Sequence, residues 1–108
     1  MLTQKKTASS KRAKKPRSVA YTKTFDKDWN SYNRAGKYDM HNAVAVMDLI
    51  FKNQPIPEQY CDHELKGEDW GGARELHIGG DFLLVYRVDD AKNLVTFVRL
   101  GTHSELFG

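Results

Sequence analysis

Three histidines and one aspartate occupy positions where predicted loops meet predicted strands. They are His63, His77, Asp81 and His103. Histidine changes charge near neutral pH, so one imidazole can accept a proton while another, held charged by a carboxylate, donates one. RNA cleavage needs such a pair, because a base must deprotonate the 2′-hydroxyl that attacks phosphorus and an acid must protonate the leaving 5′-oxygen. A zinc site made by the three histidines and Asp81 is an open alternative.

Cationic and aromatic side chains near this group predict contacts with a substrate. Arg74 and Arg99 would stabilise the negative charge that develops on a phosphate. Phe82 or Phe107 would stack on an unpaired base. Each residue has a structural explanation of its own, so function depends on whether the fold brings them together.

The N-terminal half predicts one strand and two helices. Residues 19–25 alternate in polarity and predict a first strand, which leads into a helix at about 25–34. Asp39 is a good N-cap for a second helix, because its carboxylate can accept the first free backbone amides. That helix would bury one stripe, made by Met40, Ala43, Val44, Met47, Ile50 and Phe51. Asn53 and Pro55 end it.

The C-terminal half predicts three strands, at 74–78, 82–88 and 94–100. Neighbouring strands joined by short loops pair antiparallel. The sequence therefore predicts an α+β domain in which two N-terminal helices pack on one face of a small antiparallel sheet.

The turn between the first two of these strands has two possible registers. A three-residue loop at 78–80 would place His77 opposite Asp81, whereas a two-residue turn at Gly79 and Gly80 would place it opposite Phe82. We favour the first register. In it, one face is shared by Glu75, His77, Asp81, Leu83, Val85 and Arg87.

The net charge of +3 hides an uneven distribution over a chain of 108 residues. Residues 1–17 carry seven basic and no acidic residues, which leaves ten basic and fourteen acidic residues after them. We predict a disordered basic tail at 1–17 and one domain at 18–108. The tail would either bind phosphates or serve only as a solubilising extension. The single cysteine and the lack of a long apolar run predict a cytoplasmic protein without a membrane segment.

An ordered string of these residues resembles the YafQ branch of the RelE-type toxins, within the RelE/ParE superfamily. The likeness covers about 19–108 and is strongest after Tyr60. The matching positions are Asp62, His63, Leu65, Gly67, Arg74, Glu75, His77, the run DFLLVY at 81–86, the run RLGTH at 99–103, Leu106 and Phe107.

The resemblance implies a RelE-like fold and the toxin of a type II toxin–antitoxin system. The implied activity is a ribosome-dependent, metal-independent endoribonuclease, an mRNA interferase, that uses no cofactor. Residues His63, His77, Asp81 and His103 match the family's acid–base cluster, and Phe107 matches its C-terminal aromatic residue. We assign His103 as the general acid and Asp81, helped by His63 or His77, as the base, although the division among the four stays open.

Three positions depart from one or other family pattern. The YafQ pattern has tryptophan where this chain has Phe82. The RelE branch has arginine at the positions of Leu83 and His103, which favours the histidine-using branch. The implied partners are an antitoxin of the DinJ/RelB-like, ribbon–helix–helix type, operator DNA through that antitoxin, the ribosome and mRNA.

Two other functions fit parts of the pattern. A ParE-like toxin would have the same fold and would inhibit DNA gyrase by binding, without nuclease activity. A non-catalytic nucleic-acid-binding module would depend on the basic tail. Neither needs matched proton donors and acceptors, so the histidine cluster favours the nuclease.

Overall fold

Five strands and three helices follow one another along residues 15–108, the part of the chain that the computed structural model describes. In chain order they are β1 (Ser18–Tyr21), α1 (Lys23–Ala35), α2 (Met40–Phe51), β2 (His63–Glu64), β3 (Arg74–Gly79), β4 (Phe82–Asp89), β5 (Leu94–Thr102) and α3 (His103–Phe107). Short 3₁₀ turns cover Glu58–Tyr60 and Glu68–Trp70.

Most of the predicted tail, residues 1–14, lies outside the described residues. Its last two residues contact the domain. The Arg17 amide donates to the Phe51 carbonyl at 2.8 Å, and the Asn93 side chain donates to the Pro16 carbonyl at 3.1 Å.

The strands form one mixed sheet in the order β1-β5-β4-β3-β2. The α+β class is confirmed, and β3, β4 and β5 pair antiparallel as predicted. The expectation of a wholly antiparallel sheet is wrong, because β1 pairs parallel with β5, with Ser18 opposite Leu94. The short-loop rule applies only to strands that follow each other directly, whereas β1 and β5 are separated by most of the domain.

Both long helices pack on one face of the sheet, as predicted. Thr22 caps α1 by accepting from the Phe25 amide, and Asp39 caps α2 by accepting from the Asn42 amide at 3.0 Å. The core on this face includes Phe25, Ala43, Val46, Ile50, Leu76, Ile78, Phe82, Leu84, Tyr86, Val95, Phe97 and Leu100. Val46, not the predicted Val44, faces the sheet, and Val44 is 52% exposed.

The opposite face of the sheet has a smaller core, formed by Ala73, Leu83, Val85 and Leu106. Leu106 comes from α3, a five-residue helix that the sequence did not predict. It can lie close to β5 because Gly101 has no side chain: a Cβ there would be 3.2 Å from Leu106 Cδ2. This second face carries the candidate site.

Neither predicted register of the turn at Gly80 is correct. His77 pairs with Leu83 and Gly79 pairs with Phe82, with a bulge in between. At this bulge the Ile78 carbonyl accepts a hydrogen bond from the Asn42 side chain of α2 at 2.6 Å.

Within residues 15–108, no helix has the length and apolar character needed to cross a bilayer.

Candidate active site

His63 is held through both of its ring nitrogens. Its Nδ1 lies 2.8 Å from the Cys61 carbonyl, and its Nε2 lies 2.9 Å from Oε2 of Glu75, the residue opposite it on β3. Both partners are acceptors, so only the doubly protonated ring can donate to both at once. The Glu75 carboxylate is buried, whereas half of the His63 side chain is exposed. The two contacts therefore fix the orientation of the imidazole at the edge of this face.

His77 stands two residues after Glu75 on β3, so both side chains lie on the same face of the sheet. Its Nδ1 lies 3.2 Å from the Gly80 carbonyl. A carbonyl can only accept, so Nδ1 carries the proton of this bond. In the neutral ring Nε2 then has a lone pair, which is what a general base needs.

Asp81 and His103 meet through the backbone. The His103 amide lies 3.2 Å from Oδ1 of Asp81 and 3.2 Å from the Asp81 carbonyl oxygen. Asp81 thus holds the first residue of α3 against the β3–β4 turn. The His103 side chain is exposed, with its ring centroid 5.1 Å from that of Phe107.

The sheet brings the histidines to one face and towards one end. His77 pairs with Leu83, and Leu83 pairs with Gly101, two residues before His103. Strands lie about 4.8 Å apart, so two strand spacings of about 10 Å separate the backbones of His77 and Gly101. His103 follows Gly101 by two residues, so the two histidines stand at the same end of this face.

The four predicted site residues do not form the zinc site that was left open. His63 is bonded to Glu75, and Asp81 is bonded to the His103 backbone. Among residues 15–108, no group of three or more His, Cys, Asp or Glu side chains is arranged to hold a metal ion.

Three of the four residues predicted to contact substrate are already buried or paired within the domain. Phe82 is 1% exposed and stacks on Tyr38 in the helix-face core, where no base can reach it. Arg99 forms an ion pair with Asp28 of α1, with Nε 2.8 Å from Oδ2. Arg74 pairs with Asp62 at 3.2 Å and lies beside Tyr86, also on the helix face. Phe107, in contrast, packs against the small core on the second face.

The Arg74 ion pair also fixes Tyr86. The Tyr86 hydroxyl donates to Oδ1 of Asp62 at 2.7 Å. Burial, then this hydrogen bond and the charge of Asp62, raise the pKa of Tyr86 well above its usual value. Burial alone would lower the pKa of Arg74, but the hydrogen bond and charge of Asp62 outweigh it and raise that pKa. The cluster is structural, because each charge already has its partner.

Sequence reasoning assigned no role to two residues of this face. Glu75 is the one buried charged residue of the described core, and its strand, which also carries Arg74 and His77, gave no signal that this acid would be buried. Trp70 lies half-buried with its ring centroid 5.2 Å from that of Phe107. Its position in a glycine-rich loop gave no signal either.

Comparisons with known proteins agree with this fold. The mRNA interferase toxin YafQ of Escherichia coli (strain K12) is 37% identical over 93 residues, which cover 85% of this chain and 97% of the relative. YafQ in a crystal structure of the E. coli DinJ-YafQ complex has 36% identity and a TM-score of 0.78, covering 87% of this chain and all of that chain. A metal-bound toxin from Helicobacter pylori has 36% identity and a TM-score of 0.76, and the match covers 84% of this chain and 99% of that chain.

A family model matches residues 17–108 and describes bacterial toxins of type II toxin–antitoxin systems. That is the class of protein that the mixed sheet and its histidine face define. Within this class the model is that of the YafQ toxins, and the chain belongs to that family.

Proposed function

We propose that this toxin is an mRNA interferase, an endoribonuclease that cuts mRNA on the ribosome and so stops translation in the cytoplasm. One observation carries the proposal: His77 and His103 present their rings on one face of the sheet, and neither ring is tied to a carboxylate. Such rings can move protons at neutral pH. The name of the E. coli relative supports the substrate class.

His77 and His103 divide the proton transfers in this proposal. Nε2 of His77 accepts the proton of the ribose 2′-hydroxyl, whose oxygen then attacks the adjacent phosphorus. His103 donates a proton to the departing 5′-oxygen, which leaves a 2′,3′-cyclic phosphate. Asp81 is a positioning residue, because it holds the backbone of His103 rather than its ring. This differs from the sequence-based assignment of Asp81 as the base.

His63 supplies the positive charge that Arg74 and Arg99 cannot supply, because each arginine is already paired with an aspartate. Its ring, bonded to the buried carboxylate of Glu75, lies at the edge of the same face as His77. A fixed cation there stabilises the extra negative charge of the five-coordinate phosphorus. The scheme requires no metal and no cofactor, so a chelator should leave cleavage unchanged.

The partner in this proposal is an antitoxin of the DinJ type. One of the structural neighbours is YafQ in complex with DinJ. A ribbon–helix–helix antitoxin would cover the histidine face and bind operator DNA itself. The toxin alone would contact the ribosome and mRNA.

The His103→Ala variant tests the proposal in a translation extract, with cleavage of a reporter mRNA mapped by primer extension. Loss of the general acid should slow cleavage by about 10²–10⁴-fold. His103 is exposed, so the thermal unfolding midpoint should change little. His41→Ala is the matched control, since His41 is exposed on α2, across the sheet.

Equal cleavage by the wild type and His103→Ala would contradict the proposal. Inhibition of gyrase supercoiling by a wild type that leaves mRNA intact would instead assign the protein to the ParE-like function.

A further inference from the structure

Two aromatic rings continue from His103 across the second face of the sheet. Phe107 lies one helical turn after His103, and their ring centroids are 5.1 Å apart. Trp70, from the loop before β3, also packs against Phe107, with ring centroids 5.2 Å apart and ring planes inclined by 58°. Both Phe107 and Trp70 are partly exposed. The pair of aromatic rings thus begins directly beside the proposed general acid.

The loop that carries Trp70 is fixed through its backbone. The Trp70 carbonyl accepts from the Ala73 amide at 3.0 Å and from Nη2 of Arg87 at 3.0 Å. Nε of Arg87 also donates to the Gly71 carbonyl at 3.2 Å. Gly71 adopts a left-handed conformation, with φ of 54°, which ends the 3₁₀ turn at Trp70. The indole therefore has a defined position although it stands in a loop.

Single-stranded RNA is recognised largely by stacking of its bases on such rings. Phe82, the other ring assigned to stacking from the sequence, is buried in the helix-face core and cannot serve. On the second face, Trp70 and Phe107 are the partly exposed aromatic side chains packed against the small core. The indole offers the larger of the two ring surfaces.

We propose that Trp70 and Phe107 form a stacking platform for a nucleobase of single-stranded RNA next to the bond that is cleaved. The inference rests on the proposed function, because His103 sets the place of that bond. Trp70 contacts substrate by its ring face and takes no part in proton transfer. It determines how tightly, and next to which base, the RNA is held.

Two substitutions separate stacking from packing. Trp70→Leu keeps an apolar side chain over Ala73 and Leu106 but removes the ring, whereas Trp70→Phe keeps a ring. Cleavage of a reporter mRNA is measured in a translation extract over a range of toxin concentrations. We expect Trp70→Leu to lower cleavage about tenfold at low toxin concentration, the usual order for loss of one stacked base, and much less at saturation. Trp70→Phe should recover most of that loss, and the preferred cleavage positions should shift in Trp70→Leu.

Equal losses in Trp70→Leu and Trp70→Phe would overturn the platform, because packing alone would then explain the residue. No loss in either variant would overturn it as well. A wild type that cleaves no mRNA would contradict the proposed function. In that case, tryptophan fluorescence tests separately whether RNA stacks on the platform. The chain has two tryptophans, and Trp29 lies on the helix face. Quenching by a single-stranded RNA oligonucleotide in Trp29→Phe, but not in Trp70→Phe, supports the platform, and any other pattern overturns it.

Discussion

Glu75 carries a carboxylate that is almost fully buried, and the Nε2 atom of His63 lies 2.9 Å from it. Burying a charge is costly unless it is paired, so this carboxylate contributes little to stability by itself. Its role is to fix the imidazole of His63 at the edge of the histidine face. The proposed mechanism uses that ring next to the phosphate.

Glu75→Gln should therefore separate activity from stability. The amide can still accept one hydrogen bond, but it removes the negative partner of the His63 ring. We expect mRNA cleavage to fall by about tenfold or more, as for the loss of one electrostatic stabiliser. The free energy of unfolding in urea should stay within about 1 kcal/mol of the wild type or rise. Glu64→Gln, on the neighbouring strand and exposed, is the control, and unchanged cleavage in Glu75→Gln would remove His63 from the mechanism.

Tyr86 gives a prediction for how the stability of the fold depends on pH. Its hydroxyl donates to Asp62, and a hydrogen bond to a charged group contributes about 1.5–3 kcal/mol. Tyr86→Phe should therefore destabilise the protein by about that amount at pH 7, measured by urea unfolding. Burial and Asp62 raise the pKa of Tyr86 in the folded state, so the phenol ionises first in the unfolded chain, at about pH 10.

The contribution of the Tyr86 hydrogen bond to the free energy of unfolding is thus complete below about pH 10 and is lost as the pH rises above that value. The stability difference between the wild type and Tyr86→Phe should narrow between about pH 10 and 11. Tyr21→Phe serves as the control, because the Tyr21 side chain is half exposed. A difference that stays constant with pH would show that Asp62 does not favour the neutral phenol.

At the scale of elements, α3 carries two residues of the site and depends on a close approach to β5. A Cβ on Gly101 would lie 3.2 Å from Leu106 Cδ2 and 3.2 Å from the Tyr32 hydroxyl oxygen. Gly101→Ala should destabilise the protein by about 1–3 kcal/mol through overpacking, and should lower cleavage by shifting His103. Gly79→Ala is the matched control, since nothing lies within 4 Å of its added Cβ. Equal effects of the two substitutions on urea unfolding and cleavage would contradict this role for Gly101.

Elements with local signals were predictable from the sequence, and elements set by distant contacts were not. The second helix has an N-cap at Asp39 and an apolar stripe, so its start and end were found. The helix α3 is only five residues long and has no periodicity to detect. The parallel pairing of β1 with β5 and the contact at the Ile78 bulge join residues far apart in sequence. The same limit applies to the site. Its histidines and arginines were visible in the sequence, but their partners, Glu75 for His63 and Asp28 for Arg99, follow from the three-dimensional arrangement.

At the scale of the whole molecule, positive charge is concentrated where the family match does not reach. The family model begins at residue 17, and the residues after it carry ten basic and fourteen acidic side chains. An acidic domain is repelled by RNA. A toxin that binds mRNA on the ribosome therefore needs positive charge from another part of the chain. Residues 1–14 contain five of the seven basic residues of the tail. The chain enters the domain at Arg17, which is bonded to the end of α2.

Deleting residues 1–14 should weaken binding to ribosomes and RNA without unfolding the domain, because the Arg17 hydrogen bonds remain. Each contact with a single-stranded phosphate contributes about 0.7 to the slope of log affinity against log salt. Five charges therefore predict a slope shallower by up to about 3.5 in the truncated chain, measured by equilibrium binding at several salt concentrations. A full-length variant with glutamine at these five positions should behave like the deletion, since the effect comes from charge and not from length. An unchanged slope in both would show that the tail only solubilises the protein, because counterion release must accompany any phosphate contact that it makes.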